Sequence, residues 1–276
     1  MILIADSGST KTDWALVDNK TVVYYNTQGI NPVHQKREAV LQILHEELLP
    51  NVEASEVVSV FFYGSGVRPE MVSPMIDILH DAFKAKTVEA HSDLLGAARA
   101  LFGHNSGIAS ILGTGANSCL YDGNGIIQHT PALGYILGDE GSGSVLGKRF
   151  IHDLYGGKLS EEIKTMFEKE TRLNLPEIIK RVYRQPLANR FLASLSEFIG
   201  NHLDDAGVRA VVIDNFVDFL RYHIQPYNRP DLPVSFVGSV AWHYQDELRE
   251  AAERLNFQLG TVLKTPLAGL VRYHKL

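Results

Sequence analysis

Three turns in this sequence place glycine beside hydroxyl residues directly after an apolar run, the arrangement that lets a backbone approach phosphate oxygens. In Asp6-Ser7-Gly8-Ser9-Thr10-Lys11-Thr12 a carboxylate ends a strand-like run and small residues follow it. The N–H groups of Gly8, Ser9, Thr10, Lys11 and Thr12 can then face phosphate, and Asp6 can hold a hydrated Mg2+. A plain hairpin that uses Gly and Ser for turn geometry explains the same letters equally well. Gly113-Thr114-Gly115-Ala116-Asn117-Ser118 is the second turn, and two such loops facing each other would clamp a polyphosphate. The third, Gly238-Ser239, lies between a strand and a helix and suits close approach by an adenosine moiety or an α-phosphate.

The acids form a second group. Asp93 follows His91-Ser92 at a strand-to-helix junction, where it can be a catalytic carboxylate or only a helix N-cap. In Leu137-Gly138-Asp139-Glu140-Gly141-Ser142-Gly143, two carboxylates stand among glycines just before a helix that begins near Ser144. Helix capping accounts for acids there, but not for so many glycines. Competing signatures are missing. There is no GxxxxGK[ST], no GxGxxG and no GxSxG, and His45-Glu46-Glu47 lacks the second histidine of a zinc-protease helix. The 11 histidines have no metal-ligand spacing, and Trp14 and Trp242 read as packing residues.

The elements that would position these loops form a repeat. Ile2–Ala5, Trp14–Val17 and Val22–Tyr25 read as a β-meander, and Ile108–Leu112, Cys119–Tyr121 and Ile126–Ile127 repeat it. Each meander is answered later by a strand ending in glycine and serine, a helix, a short strand and a closing helix. Val57–Tyr63 and Thr87–Ala90 fill those places first, then Val234–Val237 and Thr261–Leu263. The closing helices align as Asp93-Leu94-Leu95-Gly96-Ala97-Ala98-Arg99 and Pro266-Leu267-Ala268-Gly269-Leu270-Val271-Arg272. The expected class is α/β, with two duplicated ribonuclease-H-like βββαβαβα lobes, 1–103 and 104–276. The second carries a helical insertion over about 141–228, where Phe216, Phe219, Leu220 and His223 share a face. Strand ends in such a unit point into the cleft between lobes, which raises the weight of Asp93.

Composition bounds the partners. The chain has 276 residues, 45% hydrophobic and 21% charged, enough for two cored lobes. A net charge of -6 argues against nucleic acid or an anionic membrane as partner. No apolar run approaches a membrane span, and Met1 leads directly into a strand rather than a secretory leader, so a cytoplasmic protein is expected. Cys119, the single cysteine, allows neither an internal disulfide nor a four-cysteine cluster in one chain.

On these residues the sequence resembles the N-acetylglucosamine kinase-like members of the BadF/BadG/BcrA/BcrD ATPase family, within the actin, sugar-kinase and heat-shock-chaperone superfamily. Asp6–Thr12 resembles its first phosphate motif, Gly113-Thr114-Gly115 the second, Phe236-Val237-Gly238-Ser239 the adenosine motif, and Gly134–Gly143 its interdomain signature. The resemblance implies ATP and Mg2+ as cofactors and an amino-sugar substrate phosphorylated on a hydroxyl, O6 being favoured. It implies Asp93 as catalytic base, Asn31 and Asp139 as sugar ligands on opposite lobes, and Thr114 and Gly134 beside the sugar. Ala132-Leu133-Gly134-Tyr135 departs from the family's Gly-Gly-Trp-Gly, which leaves N-acetylglucosamine, N-acetylmuramic acid and glucosamine open. A homodimer is compatible with the sequence. A non-kinase ATPase acting on a protein partner and a nucleotide or sugar sensor are the alternatives. The lone Cys119 speaks against the family's iron-sulfur activators, which use two cysteines per chain.

Overall fold

The computed structural model of the chain describes residues 1–8 and 10–275. It divides into two compact units. The first comprises Met1–Asn105, the turn Gly123–Gly125 and the C-terminal segment from Thr265. Strands β1 (Ile2–Ser7), β2 (Lys11–Val17) and β3 (Val22–Gln28) form the expected antiparallel meander. Helix α1 (Arg37–Ile43), β4 (Ser59–Gly64), α2 (Pro69–Phe83), β5 (Thr87–Ser92) and α3 (Asp93–Phe102) come next. Both later strands run parallel to β1, giving the sheet order β3-β2-β1-β4-β5. Strand alternation sorts the apolar side chains. Leu3, Ala5, Trp14, Val60 and Phe62 join the buried residues of α1 and α2 on one face. Ile4, Ala15, Val17 and Tyr63 pack on the other with Ala100 of α3 and the C-terminal helix.

The second unit comprises Ser106–Asp122 and Ile126–Lys264. Its strands β6 (Gly107–Leu112), β7 (Ala116–Tyr121), β8 (Ile126–His129), β9 (Val234–Val237) and β10 (Leu259–Leu263) are ordered β10-β9-β6-β7-β8. Read from the meander edge inward, this is the order of the first sheet, with the same mixture of antiparallel and parallel pairs. The duplication expected from sequence is therefore the architecture of the molecule. Between β8 and β9 lie α4 (Gly134–Leu137), α5 (Gly143–Tyr155), α6 (Glu161–Thr171), α7 (Leu175–Arg184), α8 (Ala188–Ser194), α9 (Ser196–Asn201) and α10 (Ala206–Phe219). A π-helical turn, Leu220–Ile224, continues α10. Short polar side chains start these helices: Ser142 accepts from the Val145 N–H, Ser160 from Ile163 and Asp205 from Val208. Gly147 lets α5 meet α8, since a Cβ there would lie 2.0 Å from the Leu192 carbonyl oxygen. Phe216, Phe219, Leu220 and His223 are all buried, as their spacing predicts. Helices α11 (Ser239–His243), α12 (Gln245–Arg254) and α13 (Leu267–Lys275) complete the chain.

Three details differ from the sequence reading. Helix α13 closes the second repeat in sequence, yet it belongs to the first unit and lies on α3. Gly269 explains the choice, because a Cβ there would meet the Ala100 carbonyl at 2.5 Å and its Cβ at 2.7 Å, so only a bare backbone fits. Trp14 is fully buried and donates its indole N–H to Thr27 Oγ1 at 3.0 Å, but Trp242 remains 40% exposed and is no core residue. Strand β5 continues through His91 and Ser92, bringing Asp93 to its end. Cys119 lies within β7, fully buried, and burial pushes its thiol up to about 12. No helix among the described residues is long and apolar enough to cross a membrane.

Gly269→Val should cost about 1–3 kcal/mol by overpacking the α3–α13 contact. Urea unfolding should show a lower midpoint at unchanged slope. Gly125→Ala, where an added Cβ meets nothing within 4 Å, should leave the midpoint in place.

Candidate active-site residues

In the first unit, hairpin register decides which acids meet. The Gly8 N–H bonds the Lys11 carbonyl at 3.0 Å, and this tight closure places Asp6 opposite Asp13 and Asp13 opposite Asn26. Asp13 accepts from Lys11 Nζ at 3.0 Å and from the Asn26 amide. Across β4 and β5 the same row continues with Tyr63 and His91, and Asp93 lies one residue beyond β5. Ser92 is the cap of α3, its Oγ accepting the Leu95 N–H at 3.3 Å, so Asp93 is not the N-cap that capping rules allowed. Instead, Asp93 Oδ1 accepts the Leu94 N–H at 2.8 Å.

The electrostatics are set by that placement. Burial first, then the neighbouring charges of Asp93 and Asp13, push Asp6 up to about 7 against the pull of Lys11. Burial also raises Asp93, opposed by the Leu94 N–H and its own. Such a pair of carboxyls holds protons tightly unless positive charge arrives. Among the described residues no group of three or more His, Cys, Asp or Glu side chains is arranged to hold a metal ion. Hydrated Mg2+ is commonly bound through one or two carboxylates and a ligand's phosphates, which a carboxylate such as Asp6 can supply.

Asn31 is built into the same unit by two hydroxyls, of which sequence reasoning singled out Thr12 and not Ser7. Ser7 Oγ and Thr12 Oγ1 lie 2.7 Å apart, and both accept the Ile30 N–H, at 3.1 and 3.2 Å. The Ser7 hydroxyl also donates to the Ile30 carbonyl. Thr12 is fully buried, and its hydroxyl pins this loop, a use of the side chain beyond the backbone N–H expected from the turn. The Asn31 N–H bonds Gln35 Oε1 at 2.7 Å, its Oδ1 takes the Val33 N–H at 3.0 Å, and Gly66 packs flush against its side chain. Gly8, Thr10 and Lys11 are exposed on the turn, with Lys11 turned to Asp13. Ser9 lies outside the described residues.

The second unit builds its site from backbone. The Gly113 N–H closes on the Gly115 carbonyl at 3.0 Å, while the Gly113 and Thr114 carbonyls accept the first N–H groups of α5, from Gly143 at 2.8 Å and Ser144 at 3.2 Å. Gly115 leaves room for Asp139, whose Oδ2 would lie 3.1 Å from an added Cβ. Asp139 has φ +57°, a left-handed conformation that is costly outside glycine and marks an over-determined turn. Burial raises its carboxyl, with the Ala116 N–H and the His223 charge opposing. Gly134, at φ +75°, contributes a further N–H that favours ionised Asp139. The turn is held by Asn215, which accepts the Gly141 N–H at 3.1 Å and donates to the Ser142 carbonyl at 3.3 Å. Gly238, at φ +128°, is demanded by packing: a Cβ would strike the Leu112 carbonyl at 2.2 Å. Ser239 is exposed at the start of α11. Thus Gly113, Thr114, Gly115, Gly134 and Asp139 come together in one unit and Asp6, Asn31 and Asp93 share the other.

No protein-family model matches the chain, and no curated protein matches it. Solved structures do. A Porphyromonas gingivalis protein provisionally named an N-acetylglucosamine kinase is 46% identical over 99% of this chain and 98% of its own, with a TM-score of 0.95. A Chromobacterium violaceum protein with the same provisional name shares 17% identity over 99% of this chain and 98% of its own at a TM-score of 0.68. A Streptomyces griseus ROK-family glucokinase, solved with glucose and AMPPNP, shares 16% at 0.57 over the same proportions. The last two share the fold. The first, near-identical in shape and almost half-identical in sequence from end to end, shows that this chain belongs to the N-acetylglucosamine kinase-like family.

Proposed function

We propose that this chain is an ATP-dependent carbohydrate kinase that transfers the γ-phosphoryl group of ATP to a hydroxyl, O6, of an N-acetylglucosamine-like amino sugar. The observation that carries the reading is the 46% identity, over 99% of the chain, with the P. gingivalis protein. The acids support it. Asp93 is the base: it accepts the sugar hydroxyl's proton as the oxygen attacks phosphorus, the O–P bond forms and the bond to ADP breaks. Burial makes Asp93 the better proton acceptor, and the Leu94 N–H fixes the carboxylate plane. Asn31 and Asp139 bind sugar hydroxyls, with Thr114 and Gly134 beside them. The turns at Gly8–Lys11, Gly113–Gly115 and Gly238-Ser239 bind the nucleotide through backbone N–H groups. Bound Mg2+ supplies positive charge to the transferring phosphoryl group, and Asp6 is the residue that holds it.

The decisive assay is amino-sugar-dependent ADP release, with N-acetylglucosamine, N-acetylmuramic acid and glucosamine compared. Hydrolysis of ATP that no sugar stimulates would refute the proposal. Asp93→Asn should keep sugar affinity but lower kcat about 100-fold or more, because the proton acceptor matters in the transition state. Asp139→Asn should chiefly raise the sugar KM, since its bonds are made in ground and transition states alike. Reversal of that pattern, by calorimetry and steady-state kinetics, would exchange the two roles.

Asp6 makes a separate prediction through stability. Its folded value of about 7 stands above the ordinary 3.8, so the folded chain keeps a proton that the unfolded chain loses. In Mg2+-free buffer the Asp6 contribution should therefore fall as pH rises from about 4 to about 7 and level off above. Melting curves should show Asp6→Asn gaining on wild type across that window, and added Mg2+ should raise the wild-type Tm near pH 8 but not the variant's.

A further inference from the structure

The turn that carries Asp139 is gripped at one further point by a residue with no place in the proposed mechanism. His223 is buried, stacks on Phe219 with ring centroids 5.1 Å apart, and bonds Glu140 Oε2 through Nε2 at 2.9 Å. Its other nitrogen, Nδ1, lies 3.4 Å from Thr130 Oγ1. Thr130 belongs to a buried network of hydroxyls around the His223 carbonyl. The Tyr227 hydroxyl accepts the Thr130 N–H at 3.0 Å and lies 2.8 Å from Ser118 Oγ. Ser118 in turn donates to the His223 carbonyl at 3.1 Å. An ionised Glu140 can only accept, so in the 2.9 Å bond it is Nε2 that donates, while Thr130 Oγ1 is shared between His223 Nδ1 and Ser118 Oγ, 3.0 Å away. The π-helical turn Leu220–Ile224 supplies the aim, because its extra residue rotates the chain beyond it relative to α10, and such turns recur at functional sites.

The geometry points to His223 as a positioning residue that sets amino-sugar affinity: by holding Glu140 it fixes the left-handed Asp139 and hence the carboxylate that grips the sugar. This rests on the proposed role of Asp139 in sugar binding. Asn215 anchors the C-terminal side of the same turn through Gly141 and Ser142, so the peptide that carries Asp139 is restrained on that side by Asn215 and, through Glu140, by His223. Losing one restraint should loosen Asp139 without moving the glycine turn at Gly113–Gly115, whose own bonds to α5 remain.

The test is calorimetry with N-acetylglucosamine alongside steady-state kinetics. His223→Leu should weaken sugar binding and raise the sugar KM about 10-fold, the scale of one lost hydrogen bond to a charged group. The KM for ATP should stay within about twofold. His223→Gln, whose amide can still donate to Glu140, should recover most of the affinity, and Thr130→Val should give a smaller loss in the same direction. Tyr222→Ser, at a neighbouring side chain that is 61% exposed, is the control and should change nothing. Unchanged sugar affinity in both His223→Leu and Thr130→Val, or a KM for ATP that rises as much as the sugar's, would overturn the inference and leave the kinase reading standing. Wild-type protein that neither binds nor phosphorylates an amino sugar would overturn both.

Discussion

Carboxyl held against carboxyl at half-buried strand ends is the constraint on which the first unit turns. Asp6 and Asp93 end β1 and lead out of β5, with β4 between them, and Asp13 stands across the hairpin from Asp6. Left alone, such a cluster would favour protonation or collapse. The row that crosses the sheet beside it keeps it in place. Tyr63 sits next to Asp6 in register, its ring against Gly96 of α3, and its hydroxyl takes a bond from Arg99 at 2.8 Å and shares one with His274 Nε2 at 2.8 Å. Burial, and then the Arg99 charge, hold His274 down to about 4, so His274 is a neutral ring at ordinary pH and Arg99 is the charged member of the latch. The acids are thus fastened from the apolar side, leaving their repulsion to be relieved by a cation or a proton.

The second unit repeats the topology and abandons the acids. The register position that Asp6 and Asp13 occupy in the first hairpin is taken by Ile111 and Asn117 in the second. The carboxylate beside its glycine loop, Asp139, comes from a turn outside the meander and is admitted because Gly115 has no side chain. Backbone donors and a strained turn replace titratable groups. Duplication supplied two equal frames, and the residues at the strand ends made one frame electrostatic and the other geometric.

Much of this was legible in the sequence, and the failures have physical causes. Strand alternation and the repeated order of elements specify both sheets, because period and order survive without knowledge of any contact. The glycine turns were visible for the same reason. Hidden were features that depend on register or on distant partners. Thr12 reads as part of a phosphate turn, and the bonds of its hydroxyl to Ser7 and Ile30 show only once the hairpin register is known. Gly238 reads as a nucleotide glycine, and its packing role, with the Leu112 carbonyl where a Cβ would stand, shows only in the folded chain. Asn215 and His223 lie in the insertion, far in sequence from the turn they hold, and no local pattern links them to it. Asp13 was within reach, since a tight turn closed at Gly8 and Lys11 dictates that it faces Asp6.

The placement of α13 has a consequence for how the molecule is made. This helix covers the face of the first sheet formed by Ile4, Ala15 and Tyr63, yet it is synthesised only after the entire second unit. While a ribosome translates the intervening chain, that apolar face is covered by α3 alone, and the first unit cannot complete its core in the order in which its strands emerge. Domains usually mature from the N-terminus onward as they leave the ribosome. Here the earliest strands must wait for the latest helix, so the nascent chain passes through a long interval in which a chaperone would find a binding surface and a neighbouring nascent chain would find a place to aggregate.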